Sequence, residues 1–229
     1  MLNLKIEEIL IQAQKPGWVM EPEAKRLLSM AGIPVPAFKW IKTESGALQA
    51  ARSIGYPVVA KVVSPEILHK SDIGGVVVGI DDDARLSEVY RRFSAMKSFA
   101  GILVEEIVPG MEMIVGAKID YQFGPVVMVG IGGTGVEVYG DTALRMAPLN
   151  ENDVSSMLSS LKGAVLLKGH RGSQPVSISA LIRLVMDFSA LVMGISDHIE
   201  SIDLNPVKCT RDKCVVADAR ILLSKTQKQ

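Results

Sequence analysis

His69 is the residue in this sequence best suited to carry a chemical group. It lies in Leu68-His69-Lys70-Ser71-Asp72-Ile73-Gly74-Gly75, a run of loop-forming residues. Imidazole is substantially neutral near pH 7 and can act as a nucleophile, and a phosphate on its nitrogen remains a good leaving group. His170 and His198 sit in no such constellation and read as structural or simply exposed. After His69, the Gly74 and Gly75 amides can approach a phosphate closely, though the same pair also suits an ordinary turn between strands. Upstream, Lys61 lies near the end of Pro57-Val58-Val59-Ala60-Lys61-Val62-Val63. So apolar a strand would be buried on both faces, and its ammonium then needs an anionic partner. The plainer alternative is a lysine snorkelling from a strand end.

Three further sets supply oxygens or backbone edges. Glu105-Glu106-Ile107-Val108-Pro109-Gly110-Met111-Glu112 ends one strand, bends at Pro-Gly and opens another. Such a bend can offer the backbone of Glu105, Ile107 and Val108 to an adenine edge, with Glu112 accepting from ribose hydroxyls. Charged residues beside a solvated bend would look the same. Asp203-Leu204-Asn205-Pro206 puts two oxygen-bearing side chains on one strand face, and Asp218 lies on the returning strand. Mg2+ prefers a few protein oxygens plus phosphates and water, so Asn205 and Asp218 meeting across a hairpin would suit a nucleotide-bound ion. An Asx turn before Pro206 is the simpler alternative. Cys209 and Cys214 flank a polar hairpin tip and read as two reduced thiols, since a zinc site needs about four ligands.

The elements that must position these groups follow from periodicity. Residues 21–31 and 44–54 carry helical spacing and stop at glycines. Residues 37–41, 57–63, 76–80 and 102–108 read as strands, with a helix from 81–83 to 96 opened by three aspartates. Residues 111–119 and 125–130 follow as strands, a further pair is expected at 136–139 and 143–146, and helices at 150–161 and 177–195. Residues 199–204 and 214–219 form a closing hairpin. The result is an α+β chain with a hinge at Gly101 or at Pro109-Gly110. It divides into a helical N-terminal segment (1–20), a first lobe (21–108) and a second lobe (109–229).

With 229 residues, 48% of them hydrophobic, the chain can bury a substantial core. Lys plus Arg (25) equals Asp plus Glu (25), so no global field draws it to nucleic acid or an anionic membrane. Residues 1–12 carry Glu7 and Glu8 and lack the basic-then-apolar layout of a signal peptide. The apolar stretch 180–195 is interrupted by Arg183 and Asp187. A cytoplasmic protein with neither a membrane nor a nucleic-acid partner is expected.

Together these pieces resemble the ATP-grasp fold, in which two α+β lobes clamp a nucleotide. Gly55-Tyr56-Pro57-Val58-Val59-Ala60-Lys61 looks like the family's phosphate-lysine strand, and Glu105 to Glu112 has its hinge-to-ribose spacing. Asp203-Leu204-Asn205-Pro206 with Val216-Ala217-Asp218-Ala219 is similar to the metal-binding end of succinyl-CoA synthetase β subunits. Leu68 to Val76 narrows the resemblance to β chains of ADP-forming acetyl-CoA synthetases, which bear a phosphohistidine in this loop; Val136-Glu137-Val138 and Leu144 to Leu149 look like the same family.

The resemblance implies ADP/ATP and Mg2+ as ligands, and a CoA-binding α subunit as partner in an α2β2 heterotetramer. It implies a relay in which His69 collects a phosphoryl group and delivers it to ADP. Asp203 would orient His69, although the succinyl enzymes have Glu there, and Arg145 would contact the travelling phosphoryl group or else pair with Asp141. Competing readings are a succinyl-CoA synthetase-like β subunit, a subunit for larger or aryl acyl groups, a non-catalytic nucleotide sensor, and a carboxylate–amine ligase.

Overall fold

A computed structural model of the chain describes residues 4–133, 140–169 and 174–224. The expected strand at 136–139, the Val136-Glu137-Val138 segment and His170 lie outside the described residues. The chain forms two compact units: Met20–Pro22 with Pro36–Val108, and Met1–Val19 with Glu23–Val35 and Pro109–Gln229.

The smaller unit is a four-stranded antiparallel sheet ordered β2 (Phe38–Ile41), β5 (Gly101–Glu106), β3 (Val58–Val63), β4 (Val76–Ile80). Helix α3 (Glu44–Ile54) links β2 to β3, and α4 (Asp83–Ser94) links β4 to β5. Each helix therefore joins two parallel strands across an intervening antiparallel one. Both helices begin where a side chain satisfies an orphan N–H: Thr43 accepts from Gly46, and Asp82 from Arg85. Alternation along β3 sends Val58, Ala60 and Val62 into a core with Ala47, Ala50 and Ala51 of α3 and Leu86, Val89 and Phe93 of α4. Val59, Lys61 and Val63 point to the other face, yet all six residues of β3 are buried.

In the larger unit the described residues form a seven-stranded antiparallel sheet. Its order is β1 (Trp18–Val19), β11 (Ala219–Leu223), β9 (Ile199–Cys209), β6 (Met111–Asp120), β7 (Gly124–Ile131), β8 (Thr142–Met146), with β10 (Cys214–Val216) also on β9. One face carries α1 (Leu4–Gln12), α2 (Glu21–Met30), α5 (Glu151–Ser160), the short α6 (Ala164–Leu167) and α7 (Ile178–Ile195). Asn150 and Asp153 form a reciprocal capping box on α5. Helix α7 meets the length and hydropathy of a membrane span, but its Leu181, Leu184, Val185, Phe188, Val192 and Ile195 lie in this core.

The observed units and strands differ from the expected bounds in two places. Residues 1–20 do not stand apart, and Glu23–Val35 belong with the larger unit, because Ile6, Leu10, Ala24, Leu27, Leu28 and Ile33 join its core. The closing hairpin is longer than expected: β9 runs on through Pro206 to Cys209, and the return breaks into β10 and β11 at residues 217–218. Strand β8 pairs with β7; the strand expected beside it at 136–139 lies outside the described residues, and the short α6 carries no helical period long enough to announce it.

Candidate functional site

In the smaller unit the functional groups gather on the sheet face turned away from α3 and α4. Lys61 Nζ lies 2.7 Å from Glu21 Oε1 and 2.7 Å from Glu105 Oε1. Register explains the second contact. Lys61 stands opposite Leu103, which puts Glu105 at the diagonal position on the same face, within reach of a long side chain. Glu21 opens α2, where a carboxylate favours the helix N-terminus, and its other oxygen binds Lys70 Nζ. Glu21, Lys61, Lys70 and Glu105 are all buried, between 1% and 9% exposed, so two cations and two anions balance within one desolvated cluster. The anionic partners that Lys61 required are thus present.

His69, next to buried Lys70, is exposed. Its loop is held at both ends. Ser64, fully buried, donates from Oγ to the Lys97 carbonyl (2.9 Å) and accepts from the Glu66 N–H (3.2 Å). At the far end the Lys70 carbonyl accepts from the N–H of Ile73 (3.4 Å) and Gly75 (2.7 Å).

The Gly74 and Gly75 amides, expected either to approach a phosphate or to form an ordinary turn, are engaged within the loop in this structure. The Gly75 amide is used by Lys70 and the Gly74 amide donates to Ser71 (3.1 Å). The glycines have other reasons: Gly74 is left-handed at φ +66°, and a Cβ on Gly75 would lie 2.7 Å from Val62 Cγ1 and 2.9 Å from the Lys70 carbonyl oxygen.

Beyond Glu105, the Glu106 N–H pairs with the Ala37 carbonyl (3.0 Å). Among the described residues the peptide groups of Ile107 and Val108 enter no backbone ladder or turn bond.

In the larger unit, alternation and register assemble a polar face opposite the helices. Met113, Val115 and Ala117 of β6 point into the core, so Glu112 and Gly116 point away, and Gly116 is the register partner of Asp203. The pairings Leu204 with Ala219 and Val207 with Val216 set Asn205 opposite Asp218. Two backbone bonds close this break: Asn205 N–H to the Asp218 carbonyl (3.2 Å) and Ala217 N–H to the Pro206 carbonyl (2.9 Å). One turn of the pleat away, Asp203 faces Arg220 at 3.4 Å. Burial pushes the Asp203 carboxyl above the ordinary carboxylate range, against the opposing pull of Arg220.

Glu112 Oε1 binds Lys208 (2.6 Å), its carbonyl accepts from Gly132 (2.7 Å), and a Cβ on Gly133 would lie 3.6 Å from Glu112 Oε2. Close approach of the Gly132 backbone to Glu112 requires glycine, since a Cβ there would sit 2.9 Å from Glu112.

For a divalent cation the donor set fits. Asn205 and Asp218 supply hard oxygens side by side, and Asp218 Oδ1 is already oriented by the Ala219 N–H at 2.8 Å. No cluster of three or more His, Cys, Asp or Glu occurs among the described residues, so the protein alone offers a partial coordination sphere of the kind completed by phosphates and water.

Arg145 does not join this face. It pairs in register with core-facing Val127 and so projects to the helix side, where Nη2 donates to Ser156 Oγ of α5 (3.1 Å). Nor does it pair with Asp141, whose carboxylate accepts from the Lys162 and Gly163 N–H groups (2.7 and 2.8 Å).

His198 lies in the turn before β9. Cys209 and Cys214 face each other across β9 and β10 as buried free thiols; their mutual hydrogen bond, then burial, pushes the Cys209 thiol up. A largely apolar cavity of about 610 Å3 opens beside Pro109, Gly110, Met111, Cys209 and Arg211, and shares none of the expected site residues.

Sequence reasoning missed Glu21, Lys70, Lys208, Arg220 and the fully buried Lys25. Glu21 and Lys25 looked like ordinary polar positions on a helix. Only the pairing of β9 with β6 and β11 gives Lys208 and Arg220 their partners.

Residues 11–223 match the family described as ATP-grasp domain, and the chain belongs to it. Within that class it belongs with the β subunits of ADP-forming acetate–CoA ligases. It is 38% identical over 228 residues to subunit beta of acetate–CoA ligase [ADP-forming] I of Pyrococcus furiosus, covering 96% of this chain and 98% of that one. Among solved structures it matches Ca. Korarchaeum cryptofilum ACD1 in complex with coenzyme A at a TM-score of 0.90 and 39% identity, covering 96% of this chain and 100% of that one. It also matches the dinucleotide-forming acetyl-coenzyme A synthetase 1 of Ca. Korarchaeum cryptofilum with coenzyme A and Mg-AMPPCP at TM-score 0.85 and 37% identity, covering 96% and 100%. In that structure the phosphohistidine segment points towards the nucleotide binding site.

Proposed function

We propose that this chain is the nucleotide-binding β subunit of an ADP-forming acetyl- or acyl-CoA synthetase, in which His69 transfers a phosphoryl group to ADP. The reading rests on one observation above all: His69 is exposed on a loop anchored at both ends by buried residues, Ser64 and Lys70. A group carrier must reach solvent and yet return to a defined place.

In the direction of ATP synthesis, a CoA-binding α subunit converts acyl-CoA and phosphate to an acyl phosphate with release of CoA, and a histidine of that subunit then takes the phosphoryl group with release of the carboxylate. A ring nitrogen of His69 attacks that phosphorus; the new N–P bond forms as the donor's N–P bond breaks. An ADP β-phosphate oxygen then attacks the phosphorus on His69, giving ATP and releasing the imidazole neutral. Lys61 supplies positive charge to the phosphates, the Ile107–Val108 backbone and Glu112 hold adenine and ribose, and Asp203 orients the imidazole. Mg2+, held by Asn205 and Asp218, would neutralise phosphate charge. The acyl group is chosen on the α subunit, the assembly is α2β2, and the enzyme works in the cytoplasm.

The test is to incubate the chain and its His69→Ala variant with Mg2+ and γ-labelled ATP, with and without the α subunit, and to assay acid-labile, base-stable phosphate. Label on wild type alone supports the relay. Equal label on both proteins, or none on either with the α subunit present, rejects it and leaves a nucleotide-sensing module.

A further inference from the structure

We infer that Glu21 is a positioning residue that latches the root of the His69 loop through Lys70, and that this buried ion pair must open before His69 can travel. The movement of His69 rests on the carrier role proposed above, whereas the latch is defined by geometry alone. Glu21 is 1% exposed and takes Lys61 on one carboxylate oxygen and Lys70 on the other.

Consecutive Cα atoms are about 3.8 Å apart, so while Lys70 stays on Glu21, the His69 backbone is confined to a small sphere around it. Residues 71–75 cannot relax this limit. The Lys70 carbonyl is bound by the Ile73 and Gly75 amides, and the Gly75 carbonyl accepts from Val62 of β3 (2.9 Å). Side-chain rotation alone can aim the imidazole, but moving it between distant partners requires Lys70 to leave.

Charge sets the cost of leaving. With Lys70 docked the two acids and two ammoniums of the cluster balance; when Lys70 withdraws, Glu21 gives up one of its buried ammonium contacts, and the loss of a buried positive charge beside it is costly. A second demand on Lys61, such as a nucleotide phosphate, competes with Glu21 for the same ammonium. Nucleotide arrival and loop release therefore draw on one set of charges, and Glu21 connects them.

Hydrogen exchange of the full chain tests the latch without any phosphorylation. In Lys70→Gln, the amides of Ile73, Gly74 and Gly75 should exchange faster by about tenfold or more, with the α4 amides little changed. Lys70→Arg, which keeps the cation, should restore protection. Should Lys70→Gln fold poorly, Glu21→Gln/Lys70→Gln removes both charges and leaves Lys61 with Glu105; it should fold and still show the fast loop.

Loop exchange at the wild-type rate in both Gln variants overturns the latch, as does acceleration spread evenly over the smaller unit. His69→Ala should exchange like wild type. A loosened loop in a protein that never forms phosphohistidine would reject the relay while leaving the latch standing. In the assembled enzyme, Lys70→Gln should change turnover and the KM for ADP by different factors, whereas a merely unstable protein would lose active sites and leave KM unchanged.

Discussion

Replacing Lys61 by methionine removes the cation that Glu21 and Glu105 both face, and the structure sets the size of the effect. Each contact is 2.7 Å, between side chains no more than 7% exposed. At an effective dielectric near 20 each pair is worth about 6 kcal/mol before desolvation is counted. Most of that attraction is offset by taking the charges out of water. The net cost of deleting one partner is therefore the penalty of an uncompensated buried charge, about 3–5 kcal/mol. With an m-value of about 1–3 kcal/mol/M, the urea midpoint should fall by roughly 2 M.

Charge arithmetic supplies the control. Lys61→Met leaves the four-residue cluster at −1, whereas Lys61→Met/Glu105→Gln returns it to zero with the Glu21–Lys70 pair intact. The double variant should recover most of the lost stability, although neither should bind ADP as wild type does. Circular dichroism across a urea series measures both. A single variant within about 1 kcal/mol of wild type, or a double variant less stable than the single, would falsify the buried-cluster account.

Three further outcomes follow from particular contacts. The Asp203 carboxyl is raised by burial, so its ionised form opposes folding. That penalty is absent below the unfolded pKa, grows as pH rises through the folded pKa, and is complete above it. Asp203→Asn should accordingly melt higher than wild type at neutral pH, lose that advantage in acid, and transfer phosphate more slowly; a pH-independent difference in Tm would reject the burial argument.

Arg145→Ala loses, among the described residues, an exposed contact to Ser156 and should change stability by no more than about 0.5 kcal/mol. It should also leave phosphohistidine formation intact, and abolished labelling would show that Arg145 serves the reaction after all. Cys209 and Cys214 are buried, and the raised Cys209 thiol favours the unreactive protonated form. A thiol reagent should therefore count two sulfhydryls in denaturant and almost none in the native protein; rapid native labelling would contradict the packing of β9 on β10.

Much of the scaffold was legible because its signals are local. Thr43, Asp82 and the Asn150–Asp153 box mark helix starts within a turn of the groups they satisfy. The apolar run of β3 and the period of α7 likewise follow from spacing inside one element. His69, Lys61, Asn205 and Asp218 could be chosen by residue type and by resemblance to the ATP-grasp family, and the hairpin register then set Asn205 opposite Asp218.

What the sequence could not decide was every choice of partner across the chain. Glu21 meets Lys61 and Lys70 from 40 and 49 residues away, and nothing local distinguishes it from an ordinary acid at a helix start. Arg145 lies on the helix side because β8 pairs with β7 in one register; a slip by one residue would have turned it to the carboxylate face. Residue type leaves Gly74 and Gly75 suited either to a phosphate or to an ordinary turn, and only the folded loop shows that their amides donate to the Ser71 and Lys70 carbonyls. Composition and period determine which face a residue can occupy, whereas register and burial determine what it meets there, because those depend on the free energy of the whole packed sheet.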